Sequence, residues 1–416
     1  NAGTGNDVGI ELLRNDIDWC FIADTVNQCN VIEALEQFPS DDPLLLAIVT
    51  QTAEGARQAA DALSGEVHAT LSGVLLDDSR YLRDSIFARL QQAFYAGGSS
   101  SQIALATGGP TTIAGGEDPF TAGRMALGAS TNDDASAPAF RSGLAFWTQA
   151  YGAWGDFKGN GNAASADRTL GGFVSGMDAN IGGSWRAGVA TGYAQSNTGV
   201  DARLSSADVD GYHLAAYAGG RIGDFALRGG GAWTWSGIDT NRTVVFPGFF
   251  EREEASYDGD TGQLFAEAAL PLTASAAALE PFGRLAYVHV GMGGFTESGA
   301  LAALNSSGGD EDVGYSVLGM RAASVLQASD VQVTPHASFA WQHAFGDIDP
   351  VAALAFASTG IGFSVFGVPL ARDSALVDAG LDVALGPSAT LAVGYAGQLG
   401  SEVADHAVTG RLDWNF

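Results

Sequence analysis

The sequence predicts an all-β transmembrane barrel of about twelve antiparallel strands with an α-helical segment in front of it. Three observations carry this. Charged residues are only 16% of the chain while glycine occupies 57 positions, and there is no unbroken apolar run of the length a membrane-spanning helix needs. From about residue 141 the apolar residues recur with a period of two. The connections between the alternating segments are short and long in turn, as in barrels with tight periplasmic turns and longer outer loops.

Residues 1–95 read as helix. Val26, Val31, Ile32, Leu35 and Phe38 give a first apolar face that Pro39 ends. Leu44 to Val49 and Ala53 to Leu63 give two more short helices. Gly65 opens a longer amphipathic stretch through Val67, Leu71, Val74, Leu75, Leu82, Ile86 and Leu90, which also carries Arg80, Arg83 and Arg89. Cys20 and Cys29, the only cysteines, suit a disulfide formed in an oxidising compartment, with two free buried thiols as the alternative. Asn1-Ala2-Gly3-Thr4 shows no signal-peptide pattern and reads as a mature or truncated start. Residues 96–140, rich in Gly, Ser, Thr and Pro, read as a flexible linker.

The barrel is expected over 141–416. Its candidate strands lie near 143–155, 168–180, 183–196, 207–220, 224–236, 254–270, 280–295, 311–327, 331–347, 372–386, 388–399 and 405–416. The last sets His406, Val408, Leu412, Trp414 and Phe416 against Thr409, Arg411, Asp413 and Asn415. The tenth sets Ala375, Val377, Leu381, Val383 and Leu385 against Asp378 and Asp382. Short connections follow strands two, four, eight and ten. Longer ones follow one, three, five, seven and nine, including 237–253 and 348–371. An even strand count puts both barrel ends on the periplasmic side. A soluble sandwich also alternates, but has no reason to keep the long–short order.

Composition excludes several function classes. A formal net charge of −28 argues against nucleic acid. Among the six histidines, His68, His213, His289, His336, His343 and His406, none stands at metal-ligand spacing with a second His and a carboxylate. No nucleophile elbow or phosphate-binding loop is present. Neither an enzyme, a cofactor nor a metal is expected from these residues. The acidic stretch Gly308-Gly309-Asp310-Glu311-Asp312 is read as a solvated loop, with calcium binding as the alternative.

Several stretches, in this order and spacing, resemble the translocator of classical monomeric autotransporters (type Va secretion). They are Ala62-Leu63-Ser64-Gly65-Glu66-Val67-His68-Ala69; Leu75-Leu76-Asp77-Asp78-Ser79-Arg80; Phe146-Trp147 with Tyr151-Gly152-Ala153-Trp154-Gly155; Arg372 to Leu381; and the Trp414-Asn415-Phe416 end. Residues 1–60 match less well and look like the helical region behind subtilisin-like or lipase passengers. The resemblance implies a 12-stranded barrel in the bacterial outer membrane, a peptide threaded through its pore, and an N-terminal part at the cell surface. It also implies a monomer whose partners are outer-membrane lipid, periplasmic chaperones, the barrel assembly machinery and its own passenger. A porin-like channel or an outer-membrane adhesin is the alternative.

A twelve-stranded lumen is about as wide as one α-helix. The segment 79–94 is therefore the candidate pore helix, with the linker up to Pro138 as the other candidate. Its arginines Arg80, Arg83 and Arg89 are expected to meet inward carboxylates such as Glu267, Asp378, Asp382 and Asp413. Arg228, Arg284, Arg321 and Arg411 are expected to face the lumen too, since arginine facing lipid at mid-depth costs about 2–4 kcal/mol. Trp147, Tyr151, Trp154, Trp233, Trp235, Tyr287, Trp341, Tyr395 and Trp414 are read as lipid-facing or girdle aromatics. Trp414 and Phe416 are read as an assembly signal. Asn132 beside Asp133 invites self-cleavage in the linker but is also plain loop chemistry.

Overall fold

The structure is a computed structural model that describes residues 19–96, 144–182, 184–274, 277–328, 331–386 and 388–415. The linker expected over 96–140, including Asn132 and Asp133, and the terminal Phe416 lie outside the described residues, apart from the backbone of Ala96.

Twelve long strands form the barrel: β1 (Ala145–Phe157), β2 (Ala166–Gly182), β3 (Trp185–Val200), β4 (Ser205–Ile222), β5 (Phe225–Phe246), β6 (Phe249–Ala269), β7 (Ala277–Met292), β8 (Gly309–Ala323), β9 (Val331–Gly346), β10 (Asp373–Ala384), β11 (Ala389–Gly400) and β12 (Val403–Asn415). Each pairs antiparallel with its sequence neighbour. β12 returns to β1, with Asn415 opposite Ala145, and this closes the cylinder and removes every edge from its ring of long strands. The outward faces are apolar where lipid lies: Phe173 and Met177, Tyr212 and Leu214, Leu285 and Tyr287, Phe339 and Trp341, and Val408 and Leu412 are all exposed. No described helix is long and apolar enough to cross a membrane.

Two sequence expectations change here. The stretch 237–253 is no loop: β5 and β6 run on to Phe246 and Phe249 and turn at Pro247–Gly248, where Gly248 takes φ +82°. The long hairpin keeps alternating beyond the lipid band, but its outward residues there are polar (Asp239, Asn241, Glu254, Ser256), so hydropathy alone places its end too early. Likewise Asp310, Glu311 and Asp312 belong to strand β8. The long outer connections are 158–165, 293–308 and 347–372. The last two contribute Phe295–Thr296, Leu304–Ser306, Val351–Phe356 and Gly362–Phe366 to a four-stranded sheet above the barrel.

On this sheet and the tip of the β5–β6 hairpin pack three helices, α1 (Val26–Glu36), α2 (Pro43–Val49) and α3 (Ala53–Leu63). Each starts on a side-chain cap: Thr25 accepts from Gln28 N, Asp42 from Leu44 and Leu45 N ahead of a favourable Pro43, and Thr52 from Gly55 N. Their shared core joins Val31, Leu35, Leu44, Ile48 and Leu63 to Val244, Phe246, Leu354, Phe356 and Val365. A disulfide between Cys20 and Cys29, with Cα atoms 4.7 Å apart, ties the preceding 3₁₀ turn (Trp19–Ile22) to α1. Gly65, at φ +64°, then redirects the chain into α4 (Glu66–Ala96), where a Cβ would strike Leu304.

Candidate functional site: a helix inside the barrel

The 31 residues of α4 span about 46 Å. That exceeds the roughly 30 Å hydrocarbon thickness of a bilayer. The helix enters at the end carrying the long connections. There the Glu66 carboxylate accepts from Ala164 N (2.6 Å) and from Arg203 Nε (3.2 Å), both on outer turns. It leaves at the opposite end, where Arg89 meets Asp178 late on β2 and Asp413 late on β12. Between these points nearly all its described side chains are buried.

Two apolar zones hold it. In the outer half Val67, Leu71, Val74 and Leu75 pack against Val288, Val290, Val313, Val368 and Val403. Gly367 permits this approach, because a Cβ there would collide with the α4 backbone at Thr70. In the inner half Leu82, Ile86, Phe87 and Leu90 pack against Trp147, Leu170, Val174 and Phe265. Tyr81 stacks on Tyr151 with ring centres 5.5 Å apart.

Between and below these zones lie buried ion pairs. Asp405 on β12 is the hub of the first: it accepts from Arg80 Nη2 (2.5 Å), from Tyr81 Oη (2.7 Å), and from Arg168 of β2. Arg168 also reaches Asp78 (3.1 Å). Arg83 donates to Gln263 Oε1 (2.8 Å). Arg89 makes a two-pronged contact with Asp178, Nε–Oδ2 2.7 Å and Nη2–Oδ1 2.9 Å, and adds Asp413 at 3.1 Å. The fork matches a planar carboxylate, which lysine does not.

Of the carboxylates expected to receive the helix arginines, only Asp413 does so. Glu267 is held instead by strand arginines: Arg228 (2.5 Å), Arg284 (2.5 Å) and Arg321 (2.6 Å). Arg284 alone of these touches the helix, at Asp84 (3.1 Å). Asp382 faces Arg411 at 3.7 Å, and Asp378 faces His336 at 3.9 Å. Asp378 and Asp382 do not reach α4 because a cavity of 340 Å³ separates the helix from that side of the wall, with Asp84, Arg321, His336 and Arg411 also on its lining. Arg411 pairs with Asp413 as well (2.9 Å).

Trp147 and Tyr151 are corrected from lipid-facing to inward, at 0% and 6% exposure. Trp147 Nε1 donates to Tyr217 Oη at 2.6 Å, a bond that lipid cannot supply. Trp154, Trp233, Trp235, Tyr287 and Trp341 do face outward, as does Trp414 at 47% exposure. His289, Asp310 and Asp312 gather on the outer surface of β7 and β8, with ligand atoms within 4.8 Å of one another, a grouping the spacing rule missed because it joins two strands.

Above the lipid band a second buried cluster grips the start of α4. Arg242 of β5 forks onto Glu297 of the 293–308 connection, with both contacts at 2.7 Å. His68 bonds Glu297 through Nε2 (3.1 Å) and Tyr257 through Nδ1 (3.0 Å). Burial alone would raise the Glu297 carboxyl, but the Arg242 charge and the bonds from Arg242 and His68 outweigh it and hold the group at about 2. Burial lowers His68, which stays neutral.

A closed twelve-stranded barrel, greasy outside and filled by a helix that crosses its full height, is an outer-membrane protein built around one of its own segments. Residues 146–396 match the family model described as autotransporter beta-domain. The chain belongs to that family and is an outer-membrane translocator domain. Its fold is similar to the translocator domain of the autotransporter NalP from Neisseria meningitidis, at TM-score 0.53 and 17% identity over 68% of this chain and 90% of that one. It is similar also to the beta domain of the Bordetella autotransporter BrkA, at TM-score 0.51 and 18% identity over 66% and 100%. Two curated relatives, each named extracellular serine protease from Serratia marcescens, are 31% and 33% identical over 99% and 88% of this chain. The chain spans 40% and 31% of their lengths.

Proposed function

We propose that α4 plugs the pore once export is complete and tethers the exported portion at the cell surface. Arg80, Arg83 and Arg89 act as its holding residues, and Arg284 grips it through Asp84. In this reading residues 1–95 are the passenger's tail and junction, the pore helix covers 79–94 within α4, and 96–140 is the linker returning to the barrel at 141–416. The single observation behind it is the path of α4, whose first turn is bound at the outer rim and whose Arg89 is bound at the periplasmic end. Because its Serratia relatives are named extracellular serine proteases, the exported cargo of the whole protein is proposed to be a protease. Trp414 and Phe416 are proposed as the strand-end signal read by the barrel assembly machinery, with periplasmic chaperones delivering the chain. Deleting residues 66–96 is expected to convert a nearly closed barrel into one of severalfold higher single-channel conductance in planar bilayers. Equal conductance with and without the helix would discard the plug.

A further inference from the structure

We propose that Glu251 and Glu253, at the outer mouth of the barrel, form a site for a hard divalent cation, calcium in the extracellular medium, which fastens the 293–308 connection to the β5–β6 hairpin.

The argument begins with register. Glu253 stands directly opposite Arg242 across the β5–β6 pair, the position where a cross-strand ion pair normally forms. Arg242, however, is committed elsewhere: its fork closes on Glu297, and its remaining donors reach the carbonyls of Ala62 (3.1 Å) and Ala302 (3.2 Å). Glu253 is left 1% exposed with neither carboxyl oxygen hydrogen-bonded among the described residues. It presses on Gly299, where any Cβ would fall on its carboxylate. Glu251 lies two residues earlier on the same face, and one of its oxygens accepts from Ala302 N (2.8 Å).

Charge gives the same answer. The charged groups acting on Glu253 are Arg242 of β5, Glu251 of β6 and Glu297 of the connection. Three carboxylates against one guanidinium leave two negative charges in a buried space, which one divalent cation neutralises. Without it a proton must serve, shared with Glu251: burial pushes the Glu253 carboxyl up to about 7, and the charges of Glu297 and Glu251 and a hydrogen bond to Glu251 through that proton add to the rise, against the Arg242 charge. The donors are all oxygen, since both ring nitrogens of His68 are taken. This favours calcium over zinc, and an irregular loop-and-strand setting favours it over magnesium. Affinity on the order of 10⁻⁴–10⁻³ M is expected for an extracellular module of this kind.

The test uses the full chain refolded in detergent at pH 8, with melting followed in EDTA and in millimolar CaCl₂ at matched ionic strength. Calcium should raise the melting temperature of the wild type and of D312N by several degrees. Glu253→Gln should remove that response while melting higher than wild type in EDTA. Two results overturn the site. One is a calcium response that survives in E253Q and disappears in D312N, which moves the ion to the outer-surface group of His289, Asp310 and Asp312. The other is no calcium response, with wild-type stability instead falling as pH rises from 4.5 to 7, which makes a proton the occupant. Should E253Q fail to refold, calcium-dependent slowing of hydrogen exchange at 297–304 in the wild type decides the same question: slowing supports the site, and its absence removes it.

Discussion

Replacing Asp405 by asparagine is expected to loosen α4 in the lumen strongly. The carboxylate is fully buried and takes hydrogen bonds from Arg80, Arg168 and Tyr81 at once. Removing its charge leaves two buried guanidinium groups with two carboxylates of the helix itself, Asp78 at 3.1 Å from Arg168 and the more distant, buried Asp77. Breaking a buried pair from one side typically costs about 3–5 kcal/mol, because the abandoned charge stays desolvated. The barrel should still insert, since its ladders and lipid-facing residues are untouched. The loss should appear as a lower melting temperature together with frequent opening events in single-channel recordings. Arg80→Met with D405N should recover part of the stability, because removing both partners is far cheaper than removing one. If D405N melted and conducted like wild type, the helix would be held by its apolar zones alone.

The barrel was legible in the sequence because lipid imposes a strict rule on one face of every strand. All twelve strands lie where the alternation places them, and the pairing of β12 with β1 closes them. Strand ends were less legible: the outer part of the β5–β6 hairpin keeps alternating, but against water, so Asp239 and Asn241 look like loop residues. The helix partners were harder still. Asp405 shares its face with Arg411 and Asp413, and Asp178 shares one with Arg168, so parity alone marks them as inward. Parity does not reveal that α4 leaves a cavity beside Asp378 and Asp382 and reaches Asp178 instead. Trp147 was misplaced for a related reason. An aromatic on a barrel strand suits lipid and lumen equally unless its partner, here Tyr217 three strands away, is known.

Substituting Arg242 by alanine should release the helical cap from the barrel mouth. One side chain holds Glu297, Ala62 O and Ala302 O, and so links β5, the end of α3 and the 293–308 connection. Without it Glu251, Glu253 and Glu297 remain with no guanidinium among them, and a loss of about 3–5 kcal/mol is expected. The wild-type clamp also has a defined acid limit. Glu297 titrates at about 2 in the folded protein against an ordinary 4.5. The unfolded chain therefore binds the proton first, and the clamp's contribution is complete above pH 4.5 and lost as pH falls through about 2. In Arg242→Ala the counter-charge is gone, the Glu297 carboxyl rises, and release should occur at milder acid. Hydrogen exchange of α1–α3 followed from pH 7 to pH 3 measures this: wild type should stay protected across most of that range, whereas the variant should lose protection well before its end. Barrel strands should remain protected in both, because their bonds lie in lipid below the mouth. Identical exchange profiles in the two proteins would mean that apolar packing against Val244, Phe246 and Leu354 suffices to hold the cap.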